Sequence, residues 1–323
     1  MAKVIAILFS DLHLNLWSRF NEKHSRTKNA FKFLNLIQEA CTKYQAYPIF
    51  GGDFFHKPEY IDTELLNYLA IYVKKRFKRP SQTIYGISGN HDMSKTNNLE
   101  YSSPSLWRAI CRIWPGLFHD ISFSSVTFFD KFVFHGIPYL DHNIGLNDYI
   151  QGMELEEGLK HILLLHTDYP GARDTDDVLV DSVENLNTNL LSKFDLTLIG
   201  HIHKPQRLGR KVYIIGAPFQ QRRTDRNADL GYWKLYDNLS LEFVPVNVFP
   251  RFIDVDSPDK ILDDGNYYTV VNQIKEEEIV KPTHISVGMS KNRMVSRYLK
   301  AIDDPDPDKK RILIDILNEV DKK

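Results

Sequence analysis

Five short clusters in this chain of 323 residues combine metal-binding side chains with turn residues: Asp11-Leu12-His13, Gly52-Asp53-Phe54-Phe55-His56, Gly89-Asn90-His91-Asp92, His166, and Gly200-His201-Ile202-His203. Their donor atoms are imidazole nitrogens, carboxylate oxygens and an amide oxygen, with no thiolate. Imidazole accepts borderline metals and oxygen donors favour harder ones, so the set points to Mn²⁺, Fe²⁺ or Zn²⁺. Seven candidate ligands, Asp11, His13, Asp53, Asn90, His166, His201 and His203, are too many for one ion. They suit two ions sharing a carboxylate at about 3.5–4 Å separation, which clamps a phosphoryl group and activates a water. In the pairs Asp11/His13 and His201/His203 the members stand two apart, a spacing that in extended backbone points both to the same side.

Such a set needs a rigid frame. Runs rich in Ile, Leu, Val and Phe at 4–9, 47–50, 83–87, 132–135, 161–166, 196–199 and 212–215 read as buried strands, and every cluster except Gly89-Asn90 follows or ends one. Apolar residues recur three to four apart over 27–45 and 62–78, which predicts two helices between the early strands. The βαβαβ opening gives an α/β core. Strands become more frequent after residue 120, and 232–236 with 239–246 across Asp237-Asn238 reads as a hairpin. The expected architecture is therefore two sheets packed together with helices outside.

Pro245, Pro250 and Pro258 punctuate the chain beyond the hairpin, and the composition then turns charged. This divides the sequence into a core at 1–250, a small region at 251–289 and a tail at 290–323. The tail carries two amphipathic patterns, one capped by Ser290 with Val295, Tyr298, Leu299 and Ile302, the other by Asp308 with Leu313, Ile316, Leu317 and Val320. These helices either pack back on the parent domain or dock on a partner helix.

Forty-one Lys and Arg stand against 42 Asp and Glu, a formal charge of −1, so no general field draws the molecule onto a polyanion. Phosphates must be met by metals or by a local patch. Arg207, Arg210 and Lys211, with Arg222, Arg223 and Arg226, form a basic stretch shortly after His203 and are candidate phosphate contacts. The two cysteines, Cys41 and Cys111, imply no disulfide framework. The apolar run at 4–9 is too short for a signal sequence and no segment reaches membrane length, so a cytoplasmic protein is expected, in a host cell if the source is a phage.

The signature D-x-H, G-D, G-N-H-D, H, G-H-x-H resembles that of the calcineurin-like metallophosphoesterase superfamily over roughly residues 1–246. Within it, Gly52-Asp53-Phe54-Phe55-His56 is similar to the second motif of the SbcD nucleases of double-strand-break repair, including phage and archaeal relatives. The resemblance implies an αββα fold, with a reduced capping region and C-terminal helices after the core. It implies a first metal held by Asp11, His13, Asp53 and His203, and a second by Asp53, Asn90, His166 and His201, most commonly Mn²⁺. His91 would serve the transition state or leaving oxygen, Asp92 would orient its imidazole, and His56 would contact the phosphate. The implied activity is 3′-to-5′ exonuclease and single-strand endonuclease action. The implied assembly is a homodimer, with candidate faces at 60–79 and 99–114, joined through 290–323 to an SbcC-type coiled-coil ABC ATPase. Two rivals remain: a phosphomonoesterase or small-molecule phosphodiesterase with the same site, and a chain serving mainly as assembly subunit. The family's Gly-Ser-Pro after the last motif is here Gly216-Ala217-Pro218.

Overall fold

The computed structural model describes residues 2–18, 21–76, 82–94, 104–226 and 228–271. The expected tail helices at 290–323 and the part of the capping region at 272–289 lie outside the described residues. The chain divides into one compact unit of 1–254 with 262–269 and a second of 255–261 with 270–323.

In chain order the strands are β1 (Val4–Phe9), β2 (Tyr47–Phe50), β3 (Ile84–Gly86), β4 (Phe118–Asp120), β5 (Ser124–Phe128), β6 (Phe132–Ile137), β7 (Lys160–His166), β8 (Leu196–Gly200), β9 (Gln206–Leu208), β10 (Val212–Ile214), β11 (Gly231–Tyr236), β12 (Leu241–Pro245), β13 (Phe252–Val255) and β14 (Tyr267–Val270). The helices are α1 (Ser25–Tyr44), α2 (Thr63–Arg76), α3 (Leu106–Ile113) and α4 (Leu146–Gly152). The first six-stranded sheet runs β12-β11-β1-β2-β3-β4, the second β5-β6-β7-β8-β10-β9, and β13-β14 form a two-stranded piece.

β1 shows why its sequence is apolar throughout: all six residues are buried, on both faces of the sheet. Val4, Ile7 and Phe9 pack with Phe31, Leu34, Ile37 and Cys41 of α1, whereas Ile5 and Leu8 pack with Phe134, Ile162, Leu164 and Leu198 of the second sheet. The outer face of that sheet is covered in turn by Leu146 and Ile150 of α4. The layers are helix, sheet, sheet, helix, as the sequence predicts. The two predicted helices and the hairpin are present, the latter as β11 and β12 in antiparallel register, Gly231 opposite Pro245.

Strands β1, β2, β3 and β4 are mutually parallel, and so are β6, β7, β8 and β10. Parallel pairing brings their C-terminal ends to one edge of each sheet, where ligand sites of α/β proteins form. The loops after β1, β2, β3 and β8, with the last residue of β7, carry all five sequence clusters.

Candidate metal centre

The loops after β1 and β2 do not diverge. The parallel ladder continues through them by Asp11 N–H to Gly52 O (2.9 Å), His13 N–H to Asp53 O (3.0 Å) and Leu14 N–H to Phe54 O (2.8 Å). This corrects the expectation of extended backbone at the two-apart pairs. Asp11, His13, Asp53 and His201 have φ of 53, 46, 61 and 91°, so the side chains converge through left-handed residues rather than through a pleat. Such a conformation costs about 1–3 kcal/mol per non-glycine residue and persists only where the surroundings over-determine it. Glycine permits the closest approach: a Cβ on Gly89 would overlap Asp53 Oδ1.

All seven predicted ligands meet in one place. Asp11, His13 and His203 form one group able to hold a metal ion, and Asp53, His166 and His201 another. Asp53 Oδ2 lies 3.6 Å from His13 Nε2 and 3.5 Å from His166 Nε2, between the two groups. Asn90 Oδ1 stands 3.2 Å from His166 Nε2 and 3.1 Å from His201 Nδ1. Three of the four far nitrogens face a backing group, and His13 Nδ1 has no hydrogen-bond partner among the described residues. His166 Nδ1 donates to Gly51 O at 2.8 Å, His203 Nδ1 faces Asp225 at 3.4 Å, and His201 Nε2 faces Asp168 at 3.6 Å. Support of this kind fixes the ring and directs its other nitrogen to a metal.

The residues fit two divalent cations. His13 Nε2 and His203 Nε2 approach to 3.2 Å beside Asp11 and Asp53, so a cation between them would have two imidazoles and two carboxylates as ligands. Burial holds the His13 imidazole well below its ordinary pKa, in the neutral form a ligand requires. Burial opposes charge on both Asp53 and His166. Their mutual attraction overrides it, lowering the carboxyl and raising the imidazole to about 9.

His91 and His56 stack beside this cluster, ring centroids 5.1 Å apart and planes 12° from parallel, and the His91 ring stands edge-on 4.7 Å from His13. Asp92 does not orient the His91 imidazole, contrary to expectation. Its buried carboxylate accepts the backbone N–H groups of Phe54 (3.2 Å), Phe55 (2.8 Å) and Gly89 (3.0 Å), tying the loops after β2 and β3 together. Burial and the charge of Asp53 push its pKa up to about 7. The His91 ring is instead held at Nδ1 by the backbone oxygen of His56, at 2.8 Å.

The basic residues separate. The N–H of Thr197, near the start of β8, donates to Lys211 O, so the turn with Arg210 and Lys211 lies at the opposite end of that strand from His201. Arg207 turns its Nε to Gly209 O, and Lys211 Nζ bonds Phe194 O. None of these three lines the metal cleft: β9 and the turn after it carry them away from it. Arg223 pairs with Asp254, and Arg226 with Asp254 and Asp176. Arg222 alone among the six borders the metal cleft, an open cavity of about 450 Å³ that also reaches Trp17, Asp168, Val178 and Gln221.

Sequence reasoning missed Asp225, Gln221 and Asp168. Asp225 is fully buried, takes Thr175 Oγ1–H (3.0 Å), Gln221 N–H (3.0 Å) and Arg222 N–H (3.2 Å), and faces His203 Nδ1 at 3.4 Å. Burial opposes its charge, but the His203 contact prevails and draws its pKa down to about 2. Gln221 donates Nε2–H to Asp11 O. The available signal was an acid among arginines soon after a Gly-x-Pro turn.

Fold and site together define a metallophosphoesterase, and the chain belongs to that family: residues 6–205 match the model of the calcineurin-like phosphoesterases. Divalent metals are the family's cofactors. Among curated proteins, the one named "Putative phosphoesterase 244L" from Invertebrate iridescent virus 6 is 23% identical over 194 residues, 58% of this chain and 64% of that relative. The match thus spans less than two thirds of the relative's length. Among solved structures, one crystal structure is similar at TM-score 0.45 and 12% identity, covering 76% of this chain and 99% of its own. That of TT1561 from Thermus thermophilus is similar at TM-score 0.42 and 12% identity, covering 75% and 99%. No helix among the described residues is long and apolar enough to cross a membrane.

Proposed function

We propose that this phosphoesterase is a Mn²⁺-dependent DNA nuclease of the SbcD type, hydrolysing phosphodiester bonds at the cluster around Asp53. The carrying observation is the stacked pair His91 and His56 beside two donor groups that share Asp53. His56 is the residue by which the second motif is similar to that of the nucleases. Two divalent ions held by Asp11, His13, Asp53 and His203 and by Asp53, Asn90, His166 and His201 would supply Lewis acidity and an activated water.

The protein's own groups do the rest. A carbonyl oxygen only accepts, so the His56 carbonyl fixes one proton on His91 Nδ1; Nε2, once it has taken a second proton from solvent, would give that proton to the departing 3′ oxygen and return to the neutral ring. Asp92 acts one step removed, keeping the His91 loop registered on the Asp53 loop. Burial and then the neighbouring His91 hold the His56 pKa down to about 4, so His56 meets the phosphate as a neutral donor. Recruitment of an SbcC-type ATPase through 290–323, and pairing of two copies, belong to the same proposal.

The test is end-labelled DNA and bis(p-nitrophenyl) phosphate, each with Mn²⁺ and with EDTA. Mn²⁺-dependent shortening of the DNA is expected, lost in EDTA. Hydrolysis of the small diester without any cleavage of DNA, alone or with a partner ATPase, would sink the nuclease reading and leave the small-ester one.

A further inference from the structure

Beside the metal cleft lies a second cavity of about 420 Å³, and the two share Trp17, Gln221 and Arg222. The rest of its wall includes Arg26, Arg223 and Phe252, and no acidic residue among the described residues lines it, although Asp254 pairs with Arg223 and Asp225 lies by Arg222. The metal cleft, by contrast, has Asp168 and Asp174 on its wall. Trp17 is a partition between the two. The Arg26 guanidinium lies 4.2 Å from the centre of its ring and the His56 imidazole 4.9 Å. Its place is therefore fixed by a buried cation and by a residue beside the reacting centre.

Arg222 is the group that reaches both spaces. Its side chain is 60% exposed, and its carboxylate neighbour, Asp225 at 3.6 Å, is already engaged by His203, the Thr175 hydroxyl and two backbone N–H groups. Gln221, buried at the same junction, has its Oε1 without a hydrogen-bond partner among the described residues. A guanidinium in this setting offers a planar fork suited to a phosphate. Resting on the nuclease reading, we infer that the second cavity is a subsite for the nucleotide next to the scissile phosphate, with Arg222 holding the neighbouring phosphodiester of a single nucleic-acid strand.

Binding tests this without relying on cleavage. In the His91→Ala background with Mn²⁺, a fluorescein-labelled oligothymidylate is competed by unlabelled di- and trinucleotides, which carry one and two phosphodiesters. The second phosphodiester is expected to tighten binding about tenfold, the scale of one charge-assisted contact. Arg222→Gln should reduce that gain to less than about threefold and lower the salt dependence by about 0.7 in log–log slope, one phosphate fewer. Arg207→Gln, a charge-matched change outside both cavities, should keep the gain. Retention of the full gain in Arg222→Gln, or equal loss in Arg207→Gln, would overturn the subsite. A chain that shows the gain but cuts no DNA loses the nuclease reading and keeps the subsite; one that cuts DNA without the gain does the reverse; one that shows neither loses both.

Discussion

Two pairs of buried histidines among the described residues meet nitrogen to nitrogen, and they do different things. His135 Nε2 and His161 Nδ1 are 2.9 Å apart between β6 and β7, their rings stacked, with His161 Nε2 donating to Glu156 O. One nitrogen donates, the other accepts, and the chain of bonds ends on a carbonyl, so the pair is satisfied as neutral imidazoles. His13 and His203 also meet, at 3.2 Å, but Asp11 and Asp53 close around them and Asp225 backs His203. Burial alone therefore does not make a metal centre from histidine; converging carboxylates do.

The sharpest way to break the contrast is Asp53→Asn, which removes the charge shared by both donor groups. Hydrolysis of a small diester should fall about 1000-fold or more, since the several kcal/mol of charge stabilisation at a metal site correspond to about tenfold per 1.4 kcal/mol. Mass spectrometry of the native protein should show lost metal. Asp225→Asn should act less strongly, weakening metal affinity about 10–100-fold, the usual scale for a group that supports a ligand. Competition with a chelator measures it, and an unchanged affinity would mean that the 3.4 Å contact to His203 contributes nothing.

The smallest effect belongs to the other pair. His135→Phe should leave diester hydrolysis unchanged while removing about 1–3 kcal/mol of stability at pH 7, because His161 Nδ1 loses its partner. A pH signature should accompany it. Burial, then the neighbouring His161, hold the His135 pKa down to about 4 from 6.5. Between those values the unfolded chain binds the extra proton, so this contribution is full above pH 6.5 and drains away as pH falls to about 4. Melting curves from about pH 7 to about pH 4.5, spanning that window, should show a shallower loss in His135→Phe than in the parent. Parallel curves would put the acid sensitivity elsewhere.

The sequence is most legible where burial is two-sided. β1, β2, β7 and β8 are near-continuous apolar runs because each lies under a helix on one face and the other sheet on the opposite one, and the ligands stand where those runs stop. Short, half-exposed strands such as β5 and β9 leave no such run to read. At the site, residue types are readable and conformations are not. Asp11 and His13 converge through left-handed φ, which no two-residue spacing reports. Asp92 misleads because sequence adjacency to His91 resembles contact, whereas its carboxylate turns inward to Phe54, Phe55 and Gly89. Arg207, Arg210 and Lys211 mislead for a similar reason: the short strand β9 and a turn reverse the chain, so closeness to His203 along the sequence is not closeness in space.

Each donor group draws on both sheets. Asp11 and His13 come from the first and His203 from the second; Asp53 comes from the first, His166 and His201 from the second. The residues drawn together at His13 and His203 are 190 positions apart along the chain. An ion bound in either group is thus a cross-link between the halves of the sandwich, closing a long loop in the native state alone. Metal occupancy and cohesion of the sandwich become one linked equilibrium, in which the cofactor acts as a fastener as well as a reagent.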